Sequence, residues 1–310
     1  MDTASRFRGC LLGLACGDAV GTTVEFCERG SFPPVTDMVG GGPFRLPGGA
    51  WTDDTSMALC LATSLVELGR FDPVDQMCRY CAWHEKGYLS STGRCFDIGV
   101  TVRGSLARFQ NTGDPFSGPT DPQSAGNGCI MRLAPVPMFF HPEVEEAIRW
   151  SGESSRTTHG APECIESCQL LACMIRAALS GRSKDEILFA HEPSRFQTEK
   201  VRALAAGDYR TKKAEAISGS GYVIDCLEAS AWCFWQSNTF QDAVLMAVNL
   251  GDDADTTGAV CGQIAGAFHG EEGIPPAWLS RLIMVDEIRA LSDRLASFKV
   301  SRNAEADGQE

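Results

Sequence analysis

Gly251-Asp252-Asp253-Ala254-Asp255-Thr256-Thr257-Gly258 is the stretch whose reading decides the fold. It puts three carboxylates and two hydroxyls into eight residues, then runs directly into Ala259-Val260-Cys261-Gly262-Gln263-Ile264-Ala265-Gly266-Ala267-Phe268. Val260, Ile264 and Phe268 recur every four residues, the spacing of one helix face. The acids therefore occupy the entrance and first turn of a helix. Asp and Thr are good N-caps, but capping employs only one or two of these side chains. Carboxylates this close repel one another, and the usual remedy is a hard cation with oxygen ligands.

Outward from there, Thr52-Asp53-Asp54-Thr55 precedes a second helical run with Met57, Leu61, Leu65 and Leu68 on one face. The positive end of a helix by itself disfavours a cation, so the carboxylates must outweigh it. Two oxygen-rich helix entrances, distant in sequence, predict a metal site assembled by folding. Two glycine stripes support that meeting. Gly9, Gly13, Gly17 and Gly21 fall four apart in one segment, and Gly258, Gly262 and Gly266 do the same after the acidic loop. A helix-interior glycine costs about 1 kcal/mol relative to alanine, so the stripes call for a packing reason. Close approach of the two helices supplies one, and it brings Gly17-Asp18-Ala19-Val20-Gly21-Thr22-Thr23-Val24-Glu25 to the acidic loop.

The chain of 310 residues is long enough for a large core, and 44% hydrophobic with 22% charged residues is a globular composition. No apolar run reaches the roughly 18 residues of a membrane span. The N-terminus lacks a signal-peptide pattern, so a cytoplasmic location is expected. A net charge of -13 excludes nucleic acid as a main partner, because phosphate backbones require a basic face. A phosphate-bearing ligand would need metal, backbone N–H groups and a few local cations. Of the fourteen cysteines, Cys60, Cys173, Cys226, Cys233 and Cys261 sit in apolar helical runs, where Cys acts as a small hydrophobe. Cys78 and Cys81 form a lone C-x-x-C without the second pair of a zinc site.

Helical patterning predicts helices over 5–20, 55–69, 73–86, 98–109, 143–154, 161–180, 184–190, 239–250 and 277–297. Gly219-Ser220-Gly221-Tyr222 opens another that runs through Phe234. Loops are expected at 29–51, 87–99 and 111–128. Residues 191–218 read as charged and irregular, the segment expected to be most mobile, and Ser301 to Glu310 as a disordered tail. Period-two strands are nearly absent and no compositional break divides the chain. The expectation is an all-α single domain over residues 1–300, a compact many-helix bundle.

Three loop features bear on a site. Asp97 either caps the helix after it or contacts a ligand. Gln123-Ser124-Ala125-Gly126-Asn127-Gly128, read as preceding a helix, leaves backbone N–H groups open to an anion. His159 lies in Thr157-Thr158-His159-Gly160, as a structural or a functional loop histidine.

GCLLGLACGDAVGTTVEF, WTDDTSMAL, CFDIG, GNGCIMRLAPV, THG, GSGYVIDCLEA and NLGDDADTTGAVCGQIAGA, in this order from Arg8 to about Trp278, resemble the ADP-ribosylglycohydrolases. That family includes the dinitrogenase-reductase-activating glycohydrolase and the ADP-ribosylarginine hydrolases. The resemblance implies an all-α orthogonal bundle with a central binuclear metal cleft holding two divalent cations, Mg2+ or Mn2+. It implies Thr52, Asp53, Asp54, Asp253, Asp255 and Thr256 as metal ligands. Glu25, Asp54 and Asp255 would be catalytic. Asp97, Ser124, Gly126, Asn127, Gly128, Cys129, His159 and Tyr222 would line the ADP-ribose site. Asp252 departs from the pattern, since the family often has glycine there.

The implied reaction is hydrolysis of the bond joining ADP-ribose to an acceptor, by a monomeric enzyme. GSGY and CFDIG look more like the arginine-directed branch, with serine, O-acetyl-ADP-ribose and nucleobase linkages as alternatives. A non-catalytic ADP-ribose-binding or transferase-blocking module is the remaining rival. A terpene-cyclase-like site needs D-D-x-x-D on a helix, and a His-Asp phosphohydrolase needs adjacent His-Asp pairs. Neither is present.

Overall fold

The computed structural model describes the backbone of residues 2–306 and the side chains of residues 2–298. Fourteen α-helices are described: α1 (Thr3–Gly21), α2 (Asp53–Leu68), α3 (Pro73–Lys86), α4 (Val100–Thr112), α5 (Pro135–Phe139), α6 (Val144–Arg156), α7 (Pro162–Leu179), α8 (Lys184–Phe189), α9 (Glu199–Ala206), α10 (Val223–Gln236), α11 (Phe240–Val248), α12 (Ala254–His269), α13 (Pro276–Leu279) and α14 (Val285–Ala306). The β-structure among these residues is one two-residue hairpin, β1 (Gly40–Gly41) against β2 (Leu46–Pro47), and a single bridge between Gly126 and Tyr222. The architecture is all-α, as the periodicity predicts.

Helix α12 is buried along Ala254–Ala267, and α1 is buried continuously from Gly9 to Gly21. A helix that is apolar all round belongs inside other helices rather than on a surface. The two run antiparallel in direct backbone contact through the glycine stripes. A Cβ built on Gly9 would lie 2.3 Å from the Gly266 carbonyl oxygen, on Gly13 2.3 Å from that of Gly262, and on Gly17 2.0 Å from that of Gly258. No side chain fits there. The antiparallel course delivers the C-terminal end of α1, and Glu25 just beyond it, to the N-terminus of α12.

Around this pair the other helices share a continuous core. A smaller cluster of Met57, Cys60, Met77, Tyr80, Trp83, Val102, Leu106 and Met131 joins α2, α3 and α4. It fixes the loop carrying Asp97 to the helix carrying Asp53 and Asp54.

Some boundaries differ from expectation. Residues 191–218 are not irregular: α9 buries Val201, Leu204 and Ala205, and Tyr209 is buried just after it. Its apolar residues sit at helical spacing, but the charges around them hide the pattern. Residues 129–132 form turns, and α5 begins only at Pro135. The single helix expected over 277–297 is two, α13 and α14, separated around Met284, whose φ is 56°. In the stretch expected as a disordered tail, α14 is described to Ala306, and residues 307–310 lie outside the described residues.

Candidate active site

Two carboxylates from the end of α1 organise the site. Asp18, fully buried, accepts from Thr52 N (2.8 Å) and Thr52 Oγ1 (3.0 Å) on one oxygen and from Thr55 N (3.0 Å) and Thr55 Oγ1 (2.6 Å) on the other. These are donors at the α2 N-terminus that intrahelical bonding leaves unsatisfied. Glu25 does the same for α12, its Oε2 accepting from Ala254 N (2.9 Å) and Asp255 N (3.3 Å). Asp18 in α1 and Glu25 just after it thus serve both acidic entrances, which leaves Asp53, Asp54 and Asp253 free of capping, while Asp255 Oδ1 accepts from Thr256 N (2.7 Å).

The released side chains converge. Oxygens of Glu25, Asp253 and Asp255 all lie within 4.8 Å of one another. Thr256 Oγ1 donates to Asp54 Oδ1 at 3.3 Å, and Thr52 Oγ1 to Asp255 Oδ2 at 3.3 Å, so the two entrances touch. Asp54 and Asp255 are almost wholly buried, and Asp54 Oδ2 has no hydrogen-bond partner. Among the described residues none of these carboxylates forms an ion pair with a Lys or Arg. Burial, then mutual repulsion with Asp255, holds Glu25, Asp53 and Asp54 well above the usual carboxylate range. Burial also raises Asp255, to about 7, and Asp253. Buried charges are costly unless paired or coordinated to metal. An all-oxygen donor set with an orphaned carboxylate oxygen fits a hard divalent cation.

These groups open into a cavity of about 460 Å³ lined also by Phe26, Phe44, Asp97, Gly126, Asn127, Gly128 and His159. The volume suits a small-molecule ligand. Asp97 does not cap α4: Gly99 stands at the N-cap position with no side-chain bond, and Asp97 (φ 61°) forms part of the cavity wall. Burial, then Asp53, pushes its carboxyl up to about 10. His159 is buried, its Nδ1 2.8 Å from Thr158 Oγ1, and burial brings its pKa down to about 4, so the ring is neutral. It packs against the backbone of Gly128, where a Cβ would come 2.8 Å from His159 Cε1.

The loop from Ser124 to Cys129 departs from expectation in detail. No helix follows it directly. Gly126 N donates to Ser124 O (2.8 Å) and Asn127 N to Gly221 O (3.0 Å), which leaves the N–H groups of Gly128 and Cys129 without partners among the described residues. Asn127 Nδ2 donates to Asp253 Oδ2 at 2.9 Å, tying this loop to the acidic one. The Cys129 side chain is buried behind the loop rather than in the cavity, its Sγ 3.9 Å from the carbonyls of Gly126 and Cys164. Ser124 and Tyr222 line an adjoining depression with Glu163 and Lys200. Tyr222 OH bonds to Glu163, and Lys200 Nζ lies 4.7 Å from the Tyr222 ring centroid, so that ring already carries a cation.

Sequence reasoning missed Asp18 and Arg132. An aspartate within a buried glycine stripe was the available signal for Asp18. Arg132, fully buried, donates to Gly128 O and to Thr158 Oγ1 (2.6 Å), clamping the Gly126–Gly128 loop to the His159 turn. Nothing local distinguishes it from a surface arginine.

Fold and cleft together describe an all-helical protein with an acidic cluster between two helix N-termini that could hold a metal ion. The ADP-ribosylglycohydrolase family model matches residues 1–304, and the chain belongs to that family. It is 44% identical over 294 residues to the ADP-ribosylarginine hydrolase Tri1 of Serratia proteamaculans (strain 568), covering 95% of this chain and 80% of that protein. It is 32% identical to the ADP-ribosyl-[dinitrogen reductase] glycohydrolase of Rhodospirillum rubrum, covering 94% of this chain and 95% of that one. A solved structure titled ADP-ribosylglycohydrolase-related protein complex superimposes with a TM-score of 0.84 at 41% identity, covering 96% of this chain and 98% of that one. By these relationships the chain is an enzyme, a glycosidase similar to ADP-ribosylarginine hydrolases.

Proposed function

We propose that the protein is a divalent-cation-dependent hydrolase that removes ADP-ribose from mono-ADP-ribosylated arginine on a protein, acting as a cytoplasmic monomer. The observation that carries the reading is the convergence of Glu25, Asp253 and Asp255, with Asp54 beside them through Thr256, in the wall of one cavity, where among the described residues none of them forms an ion pair with a Lys or Arg. Similarity to two ADP-ribosylarginine hydrolases, at 44% and 45% identity, supports arginine over serine, O-acetyl or nucleobase linkages. Asp53, Asp54, Asp253 and Asp255, with Thr52 and Thr256, are the residues that would hold two cations, Mg2+ or Mn2+. When bound, such cations would supply Lewis-acid polarisation and lower the pKa of water.

The chain's own residues do the rest. Hydrolysis places the water hydroxyl on the ribose anomeric carbon as the bond to the guanidine nitrogen breaks, and the water's second proton ends on that nitrogen. A carboxylate must carry that proton, as general base and then acid. Glu25 is the candidate, because its carboxyl lines the cavity within 4.8 Å of those of Asp253 and Asp255. The remaining negative charge around the sugar favours its oxocarbenium-like state. The N–H groups of Gly128 and Cys129, without partners among the described residues, would take a phosphate oxygen, beside the neutral His159 in the cavity wall.

The test is release of ADP-ribose from an ADP-ribosylarginine protein, with and without chelator, beside serine- and nucleobase-linked substrates. Release that chelator stops and Mg2+ or Mn2+ restores is expected, lost on the order of 100-fold or more in Asp255→Asn. Binding of ADP-ribose without turnover would favour a binding or transferase-blocking module instead.

A further inference from the structure

Three aromatic rings from three separate segments meet beside the cavity: Phe26 and Phe44 line it, and Phe96 packs behind Phe44. Phe26 follows the turn after α1, Phe44 sits in the β1–β2 hairpin, and Phe96 lies in the loop before α4. The Phe26 and Phe44 ring centroids are 6.4 Å apart at 74°, and those of Phe44 and Phe96 5.3 Å apart at 58°. Phe26 is 67% exposed, so folding does little to explain it. Its backbone is nonetheless held firmly, at φ 63°, a conformation bulky residues seldom adopt. Phe26 N donates to Asp252 O (2.8 Å) and Asp252 N to Cys27 O (2.7 Å). The hairpin is pressed onto the same turn, since a Cβ on Gly42 would lie 1.9 Å from the Thr22 carbonyl oxygen. Strained, exposed side chains held in this way cluster at ligand-binding sites.

The chemistry around the rings narrows what they bind. Phe26 and Phe44 line the same cavity as Glu25, Asp97 and a single cationic side chain, Arg103, and Asp252 stands exposed beside Phe26. Among the described residues, no Lys or Arg lies over any of the three rings, although such contacts occur at Tyr80, Phe116, Trp150, Tyr222 and elsewhere. The faces of Phe26 and Phe44, free of any Lys or Arg and beside the exposed Asp252 carboxylate, are complementary to a planar cation, attracted by the ring quadrupole. A hydroxyl acceptor carries no such charge.

We propose that Phe26 and Phe44, with Phe96 supporting Phe44, form the acceptor subsite, on which the guanidinium of the modified arginine stacks before and during its departure. This rests on the arginine reading above and adds the residues that select it. The rings hold the leaving group; they do not hold ADP-ribose.

The experiment compares Phe26→Ala, Phe44→Ala and the double variant with the parent enzyme, supplied with Mg2+ or Mn2+. Hydrolysis of ADP-ribosylarginine and of an ADP-ribosylserine peptide, and affinity for free ADP-ribose, are measured for each. The expected result is a fall in kcat/KM for ADP-ribosylarginine of about 10-fold in the double variant, mostly in KM. Affinity for ADP-ribose should change by less than about 2-fold, and Phe26→Trp should restore turnover. Agmatine, a free guanidinium compound, should compete with the substrate in the parent and much less in the double variant. Equal losses on both linkages, a parallel loss of ADP-ribose affinity, or unchanged ADP-ribosylarginine kinetics would each overturn the subsite. A parent enzyme that hydrolyses the serine linkage and ignores ADP-ribosylarginine would overturn the acceptor reading itself, and this proposal with it.

Discussion

Asp18 and Asp54 are both buried aspartates at the α2 entrance, and they do opposite things to it. Asp18 answers four donors, two of them backbone N–H groups, and burial raises its pKa only to about 6 because those bonds favour the charged form. Asp54 leaves one oxygen without a partner, and burial with repulsion from Asp255 holds its carboxyl well above the ordinary range. Their asparagine variants should therefore diverge. Asp18→Asn turns an amide NH2 toward donors and should cost about 2 kcal/mol, the scale of a lost cap with charge-assisted bonds. Activity should fall with it as Thr52 and Asp53 shift. Asp54→Asn removes an uncompensated charge and should stabilise the metal-free protein by about 1 kcal/mol while abolishing hydrolysis, as at sites where function is maintained against stability. Urea unfolding in chelator, paired with an ADP-ribose release assay, checks both. A destabilised Asp54→Asn would mean that the acids are already neutralised by something other than a cation.

At the scale of elements, the α1–α12 contact is what aligns everything else. It is held by backbone against backbone, so it tolerates no added atom. A Cβ on Gly262 would meet the Gly13 carbonyl oxygen at 2.1 Å, and Gly262→Ala should destabilise the protein by about 3 kcal/mol or more as the helices separate. Gly104, within α4, has only the end of the Arg108 side chain near it, at 3.6 Å. There the same substitution should gain up to about 1 kcal/mol from helix propensity. Denaturant midpoints of the two variants against the parent decide the matter, because propensity alone would make both changes stabilising. This contact was legible in the sequence, since seven glycines at four-residue spacing in two apolar runs mark faces where backbones touch. So was the convergence of Asp53, Asp54, Asp253 and Asp255, each marked by its place before a helical run. The aromatic rim was not legible. Phe26, Phe44 and Phe96 come from three loops, and loop conformation is set by tertiary contacts that no local periodicity reports. Helix α9 escaped for a related reason: its three buried apolar residues sit among charges that lie on its solvent face. Asp252 shows the remaining ambiguity. Its φ of 58° is a conformation that glycine adopts without strain, and its carboxylate is exposed beside the rim.

For the whole molecule, a chain of net charge -13 that gathers its buried acids at one point has a stability tied to pH and to cations. Asp18, Asp255 and Asp97 have folded pKa values of about 6, about 7 and about 10, all raised by burial. Unfolded aspartates release their protons near pH 3.9. Between that pH and the folded values, the folded chain holds protons that the unfolded chain has lost. Raising the pH across this window therefore destabilises the fold. In chelator the melting temperature should fall between pH 5.5 and pH 7.5 as Asp18 and Asp255, which have hydrogen-bond donors but no cationic partner among the described residues, ionise in their buried setting. A divalent cation supplies that partner and competes with the same protons. At about 100 times its Kd it should add about 2.7 kcal/mol, which for a chain this long is a rise of roughly 5 °C. The rise should be larger at pH 7.5 than at pH 5.5, and Asp255→Asn should shrink both the chelator slope and the cation shift. Melting curves at the two pH values, with chelator, Mg2+ and Mn2+, read out all three. A cation shift of equal size at both pH values would place the bound ion away from the carboxylates that give up protons in this range.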